Sequence, residues 1–214
     1  MEKYSALKDT VKELEKRKWD LPRIEEKFQK LFAEGIPKKT VNRDDIISRK
    51  REILDRVQRR GEEYEYLSHS CSKGSALAVM EEFGLGNMDI IRSLSPFPGF
   101  GMTGWICGGV TGGLIALGLY FGSHDLLDYE ATGRTMTAAR TFITRFETEI
   151  GTILCPKIHE DVIFGTYMDP RASQEKFQAF KDAKGYEKCA LPPGIGARLA
   201  AEIIIESMEA ALQD

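Results

Sequence analysis

The stretch from Gly99 to Gly122 reads GFGMTGWICGGVTGGLIALGLYFG and carries no charged side chain. Such a run must leave water, either across a bilayer or into a protein core. Its continuous apolar part, Ile106 to Phe121, is 16 residues long, short of the roughly 20 that a membrane helix needs. Pro96, Pro98 and several glycines precede it, which marks a loop and not a longer helix. The run is therefore read as a buried helix with Cys107 in its first turn. Gly108 and Gly112, and likewise Gly109 and Gly113, recur at i and i+4. One face is thus nearly bare and lets a neighbouring helix or a cluster come close. The same face makes a homodimer an option.

The remaining composition narrows the function classes. A chain of 214 residues with 42% apolar and 29% charged residues is long enough for one domain with a substantial core, or for a domain plus an extension. A net charge of −3 gives no general attraction to nucleic acid or to an anionic membrane. The N-terminal MEKYSALKDTVKELEKRK lacks an apolar leader core, so a cytoplasmic location is expected. Four cysteines in such a chain point to metal binding, redox work or plain burial before structural disulfides.

Helical periodicity runs through the rest. Residues 3 to 18 place Leu7, Val11 and Leu14 on one face, and Pro22 opens a second helix with Ile24, Phe28, Leu31 and Phe32 inward, stopped at Gly35. After a turn from Ile36 to Val41, Asn42 with Asp44 and Asp45 predicts a helix running to Tyr66. Its cations Arg49, Lys50, Arg51, Arg56, Arg59 and Arg60 alternate with acids, which reads as a solvated face and not a grip for nucleic acid. Further helices are expected from Cys71 to Phe83, Leu126 to Ile150, Cys155 to Phe164, Ser173 to Gly185 and Ile195 to Leu212. Strand signals are nearly absent. The expected fold is all-α, a compact helical bundle around the glycine-rich helix. Residues 1–66 form an N-terminal helical extension and 67–214 a four-cysteine domain.

Three cysteines, Cys71, Cys107 and Cys155, fall at predicted helix N-termini, and Cys189 lies in a loop just before one. Unpaired N–H groups and a partial positive charge there favour a thiolate, the form that binds metals and attacks disulfides. The spacings of 36, 48 and 34 residues match no zinc-finger or CxxC pattern. Free cysteine also fills cores without chemistry, so pattern alone leaves convergence and simple burial both open.

The segment CGGVTG from Cys107 to Gly112, continuing GLIALGLYFG, resembles the CGAxxG segment of the redox-active family named for its C, GCAxxG, C, C cysteine series. FETEIGTILCPKI and KCALPPGIGARLAAEII are similar to that family's third and fourth cysteine segments. The resemblance covers roughly Ser68 to Met208. It implies an α-helical domain whose four cysteines act together in redox chemistry. A relation to the iron–sulfur domain of split-Soret cytochrome c makes a [2Fe–2S] or [4Fe–4S] cluster on Cys71, Cys107, Cys155 and Cys189 the leading cofactor. Two departures stand out. Gly109 replaces the motif's alanine, and Ser75 stands where the family's first cysteine usually opens its helix, with Cys71 one turn earlier.

His69, His124 and His159 are alternative ligands, read first as surface or cap residues. No CxxCH is present, so covalent c-type haem is excluded. The expected function is electron transfer or redox sensing through an iron–sulfur cluster, with an unidentified redox partner protein. A thiol–disulfide oxidoreductase and a structural zinc scaffold are the alternatives.

Overall fold

The computed structural model describes residues 4–39 and 42–212. Lys3, the expected start of the first helix, and Val41, the end of the expected turn, lie outside the described residues. In chain order come α1 (Ser5–Lys16), α2 (Leu21–Glu34), α3 (Arg43–Ser48), α4 (Lys50–Ser68), α5 (Cys71–Phe83) and α6 (Met88–Ser93). Next are α7 (Gly108–Phe121), α8 (Tyr129–Ile150) and α9 (Cys155–Ile158), which runs on into a π-helical turn, His159–Ile163. The chain closes with α10 (Gln174–Asp182), α11 (Gly185–Lys188) and α12 (Leu191–Ala210). The fold is all-α. Among the described residues there is no strand, only the isolated antiparallel bridge between Ile106 and Leu154.

Side-chain caps explain many of the starts. The side chains of Asn42, Asp128 and Ser173 accept hydrogen bonds from the N–H groups of Asp45 (3.2 Å), Ala131 (2.8 Å) and Lys176 (3.1 Å), satisfying donors that a helix start leaves orphaned. Several expected boundaries move. The helix predicted from Asn42 to Tyr66 breaks at Arg49, where φ −106° and ψ 18° separate α3 from α4. α8 starts at Tyr129, where Asp128 caps it, leaving Leu126 and Leu127 exposed. α12 begins at Leu191, four residues before the expected Ile195, because Pro192 and Pro193 fit its first turn. α10 ends at Asp182 and not at Gly185. Phe32, expected on the inner stripe of α2, is exposed.

The glycine-rich helix α7 is the centre of the bundle. It packs between α5 and α12, with α8 along a further side, and α4 lies against both α5 and α12. Glycine makes that closeness possible. A Cβ on Gly112 would lie 2.3 Å from the Ser72 carbonyl oxygen, and one on Gly109 would lie 2.7 Å from that of Pro192. The small-residue face offered above for a homodimer is thus occupied within the chain. Phe142, Phe146 and Ile150 of α8 are fully buried beside it. No helix among the described residues is long and apolar enough to cross a membrane.

The helices ahead of residue 67 share this core. Val11, Leu14, Ile24, Ile53, Val57 and Tyr64 are buried in the same cluster as α5, α7 and α12. The expected boundary at 66/67 falls inside the last turn of α4. The α4 face read as solvated is only partly so. Arg56 and Arg60 pair with the buried Glu82 (2.7 Å each), and Glu62, Glu63 and Glu65 are buried.

Candidate functional site

Four elements bring one cysteine each to a common point. α4 ends at His69, whose left-handed φ of +52° reverses the chain, and Ser70 leads straight into Cys71, the first residue of α5. Cys107 is the N-cap of α7. Its N–H donates to the Ile153 carbonyl (2.8 Å), while the Cys155 N–H donates to the Trp105 carbonyl (2.8 Å). This reciprocal pair is the Ile106–Leu154 bridge, and it ties the second cysteine to the third. Cys155 is the first residue of α9, followed by Pro156 in the first turn. Cys189 ends α11, two residues before α12.

All four line one cavity of about 80 Å³, room for several waters where one needs about 10–15 Å³ by the same measure. Pro98, Gly99 and Met102 close it from the loop before α7, with Ile158, Phe180 and Tyr186 on other walls. Among the described residues, no lysine or arginine lines it. The Cys71 sulfur sits where a side chain on Gly108 would be, 2.2 Å from an ideal Cβ, which explains glycine after Cys107. Ser75 is not in the cavity wall; its hydroxyl donates to the Gly109 carbonyl (3.1 Å) between α5 and α7. Of the two candidates for the first position, Cys71 is the one that reaches the cavity.

The electrostatics correct one expectation. Helix starts were expected to lower the thiol pKa values, yet Cys71, Cys155 and Cys189 are pushed up. Cys71 is held well above the ordinary range by its hydrogen bond with Cys107 and by burial, against N–H groups of Gly108 and Gly99 that favour the thiolate. Burial, with Cys71, Glu65 and Asp169 disfavouring a further negative charge nearby, raises Cys155 to about 12. Burial and the neighbouring Cys155 raise Cys189. Desolvation outweighs the helix ends because nothing cationic shares the cavity. The four cysteines are free and unbridged.

Two further residues belong to the wall. His159, one turn after Cys155, was expected at the surface or in a cap, but it is buried. Its Nε2 lies 3.5 Å from the Cys189 sulfur and 3.8 Å from that of Cys155. Burial depresses its pKa to about 4. Phe164, Tyr167 and Phe180 surround the ring. Glu65 is buried, with its pKa pushed well up by burial and by Cys71. Nothing in its sequence setting, EEYEY, marks it off from surface acid. His69 lies at the cavity edge, stacked on Tyr186, and His124 is exposed away from it.

Among the described residues, three buried side-chain polar atoms lack a hydrogen-bond partner: Trp19 Nε1, Glu65 Oε2 and His159 Nδ1. Two of the three residues, Glu65 and His159, line this one cavity; of His159 it is Nε2, not the unpaired Nδ1, that stands against the sulfurs. No three His, Cys, Asp or Glu side chains among the described residues close on a single-ion position. The sulfurs instead surround a space. Soft sulfur donors around an apolar cavity are the donor set that zinc, copper(I) and iron–sulfur clusters share.

The family model described as "Putative redox-active protein (C_GCAxxG_C_C)" matches residues 69–203. No curated protein and no solved structure matches the chain.

Proposed function

Since the chain belongs to this redox-active family, matched over residues 69–203, we propose that its cavity holds an iron–sulfur cluster for electron transfer or redox sensing. Cys71, Cys107, Cys155 and Cys189 would be the ligands. One observation carries the reading: four sulfurs from four separate elements line one apolar cavity that no lysine or arginine enters. Four thiolates there would repel one another without compensation. A metal supplies the missing positive charge, and each thiol gives up its proton as metal binds.

When bound, such a cluster provides a one-electron couple whose potential follows burial and hydrogen bonds to sulfur. The chain's own groups set both. The N–H groups of Gly99 and Gly108 point at the Cys71 sulfur. The His159 ring stands against the sulfurs of Cys155 and Cys189 and orients them. The apolar walls exclude water, which sharpens every electrostatic interaction inside.

The nearness of Cys71 to Cys107, the first cause of the raised Cys71 pKa, favours a second reading, a dithiol that cycles to a disulfide. The Cys71 thiol, its pKa pushed up, is a poor nucleophile before any activation.

Anaerobically purified full-length protein separates the two. The cluster reading expects iron and acid-labile sulfide in equal amounts and visible absorption at about 400–450 nm, as thiolate-to-iron transitions require. Cys107→Ser should abolish both. Colourless, iron-free protein that reversibly loses two thiols on oxidation would replace the cluster with the dithiol.

A further inference from the structure

We propose that Glu65 is a working member of the site, a neutral carboxylic acid that donates an O–H hydrogen bond to a site sulfur and thereby stabilises the reduced state. The proposal rests on the cluster reading above. It also extends the site beyond residues 69–203, the region the family match covers, onto helix α4.

Three observations converge on this residue. Glu65 sits in the last turn of α4, and the reversal at His69 brings it back beside Cys71 into the wall of the four-sulfur cavity. Its neighbours Glu62 and Glu63 are as deeply buried, at 3% and 6% exposure against 4% for Glu65. Both of those acids are ion-paired, with Arg17 and with Arg23 and Arg59. Glu65 has no such pair, and its Oε2 has no hydrogen-bond partner.

A helix rich in arginine thus leaves one buried acid unanswered, and that acid is the one that lines the four-sulfur cavity. An ionised carboxylate would have to share the cavity with sulfurs that become anionic on loading, with no lysine or arginine in the wall. Like charges at low dielectric exclude that state. The neutral acid carries one O–H donor, and the sulfurs are acceptors that share its cavity. A donor aimed at a sulfur gains most when the centre is most negative, so it favours the reduced form.

The test uses the full-length chain loaded anaerobically with ferrous iron and sulfide. Wild type, Glu65→Gln and Glu65→Leu are compared, with Glu65→Met in case the leucine variant fails to fold. Iron per chain should be equal in all. The midpoint potential of Glu65→Gln, whose amide keeps a donor in the same shape, should stay close to wild type. Leucine or methionine should move it to a more negative value. Before loading, the leucine variant should melt no lower than wild type, because it removes a buried unpaired acid. An apolar variant with the wild-type potential overturns the proposal, as does a glutamine variant displaced as far as leucine. A wild type that takes up no iron overturns the cluster reading itself, and this inference with it.

Discussion

His159 lies 3.5 Å from the Cys189 sulfur, inside an aromatic cage, and burial holds its pKa at about 4. In the unfolded chain the same ring titrates near 6.5. Between these values the unfolded state binds the additional proton, so folding stability falls as pH drops from about 6.5 to about 4. At 1.36 kcal/mol per pKa unit the gap amounts to about 3 kcal/mol. In urea titrations at pH 7 and pH 4.5, His159→Gln should therefore lose less stability between the two values than wild type. An identical loss in both would show that the imidazole is not desolvated as described. The spacing of His159 from Cys155 was visible in the sequence, one helical turn. Its burial was not, because it depends on the π-helical turn that folds Phe164 and Tyr167 back onto the ring and on Phe180, which α10 brings from further along the chain. Glu65 left no trace at all, since a buried acid and a solvated one look alike in a charged helix.

Helix α7 owes its position to the absence of side chains, and its glycines differ sharply in what they tolerate. A Cβ on Gly112 meets the Ser72 carbonyl oxygen at 2.3 Å and the Ala76 nitrogen at 3.0 Å, both backbone atoms of α5. Gly112→Ala must push α5 away, at a loss of about 1–3 kcal/mol for overpacking, and it would draw Cys71 from Cys107. A Cβ on Gly118 meets nothing within 4 Å. Gly118→Ala should instead stabilise by about 0.5–1 kcal/mol, since alanine is the better helix former. Thermal melts of the two variants, side by side, test this; a neutral Gly112→Ala would mean that α5 and α7 are not in backbone contact. That α7 is a buried helix was legible from its lack of charge and its i, i+4 glycines. The expected start of α12 at Ile195 falls four residues late because Pro192 and Pro193 occupy the helix's first turn. The break at Arg49 had no signal, as no glycine or proline marks it.

At the scale of the whole chain, the helices before residue 67 complete the core. Ile53, Val57 and Tyr64 of α4 are each at most 2% exposed, against α5 and α12. Burying such side chains contributes about 1.5–3 kcal/mol apiece, so losing all three removes an amount comparable with the 5–15 kcal/mol that holds a typical domain together. A chain of residues 67–214 is expected to lack a cooperative melt and to bind a hydrophobic dye; a sharp, wild-type-like transition would show that the four-cysteine region stands alone. The fold class and the central helix could be read from pattern, whereas pattern left the gathering of the four cysteines open and only the resemblance implied it. The contribution of α4 to the cavity could not, because it depends on one tight reversal at His69. The small bridge between Ile106 and Leu154 has the widest reach of these features. Two sulfur-bearing stretches nearly fifty residues apart are fastened by main-chain atoms alone, so their spacing does not wait for any visitor. A cluster of the kind proposed would meet a receptacle already cut to shape, and little of its binding strength would be diverted into arranging the walls.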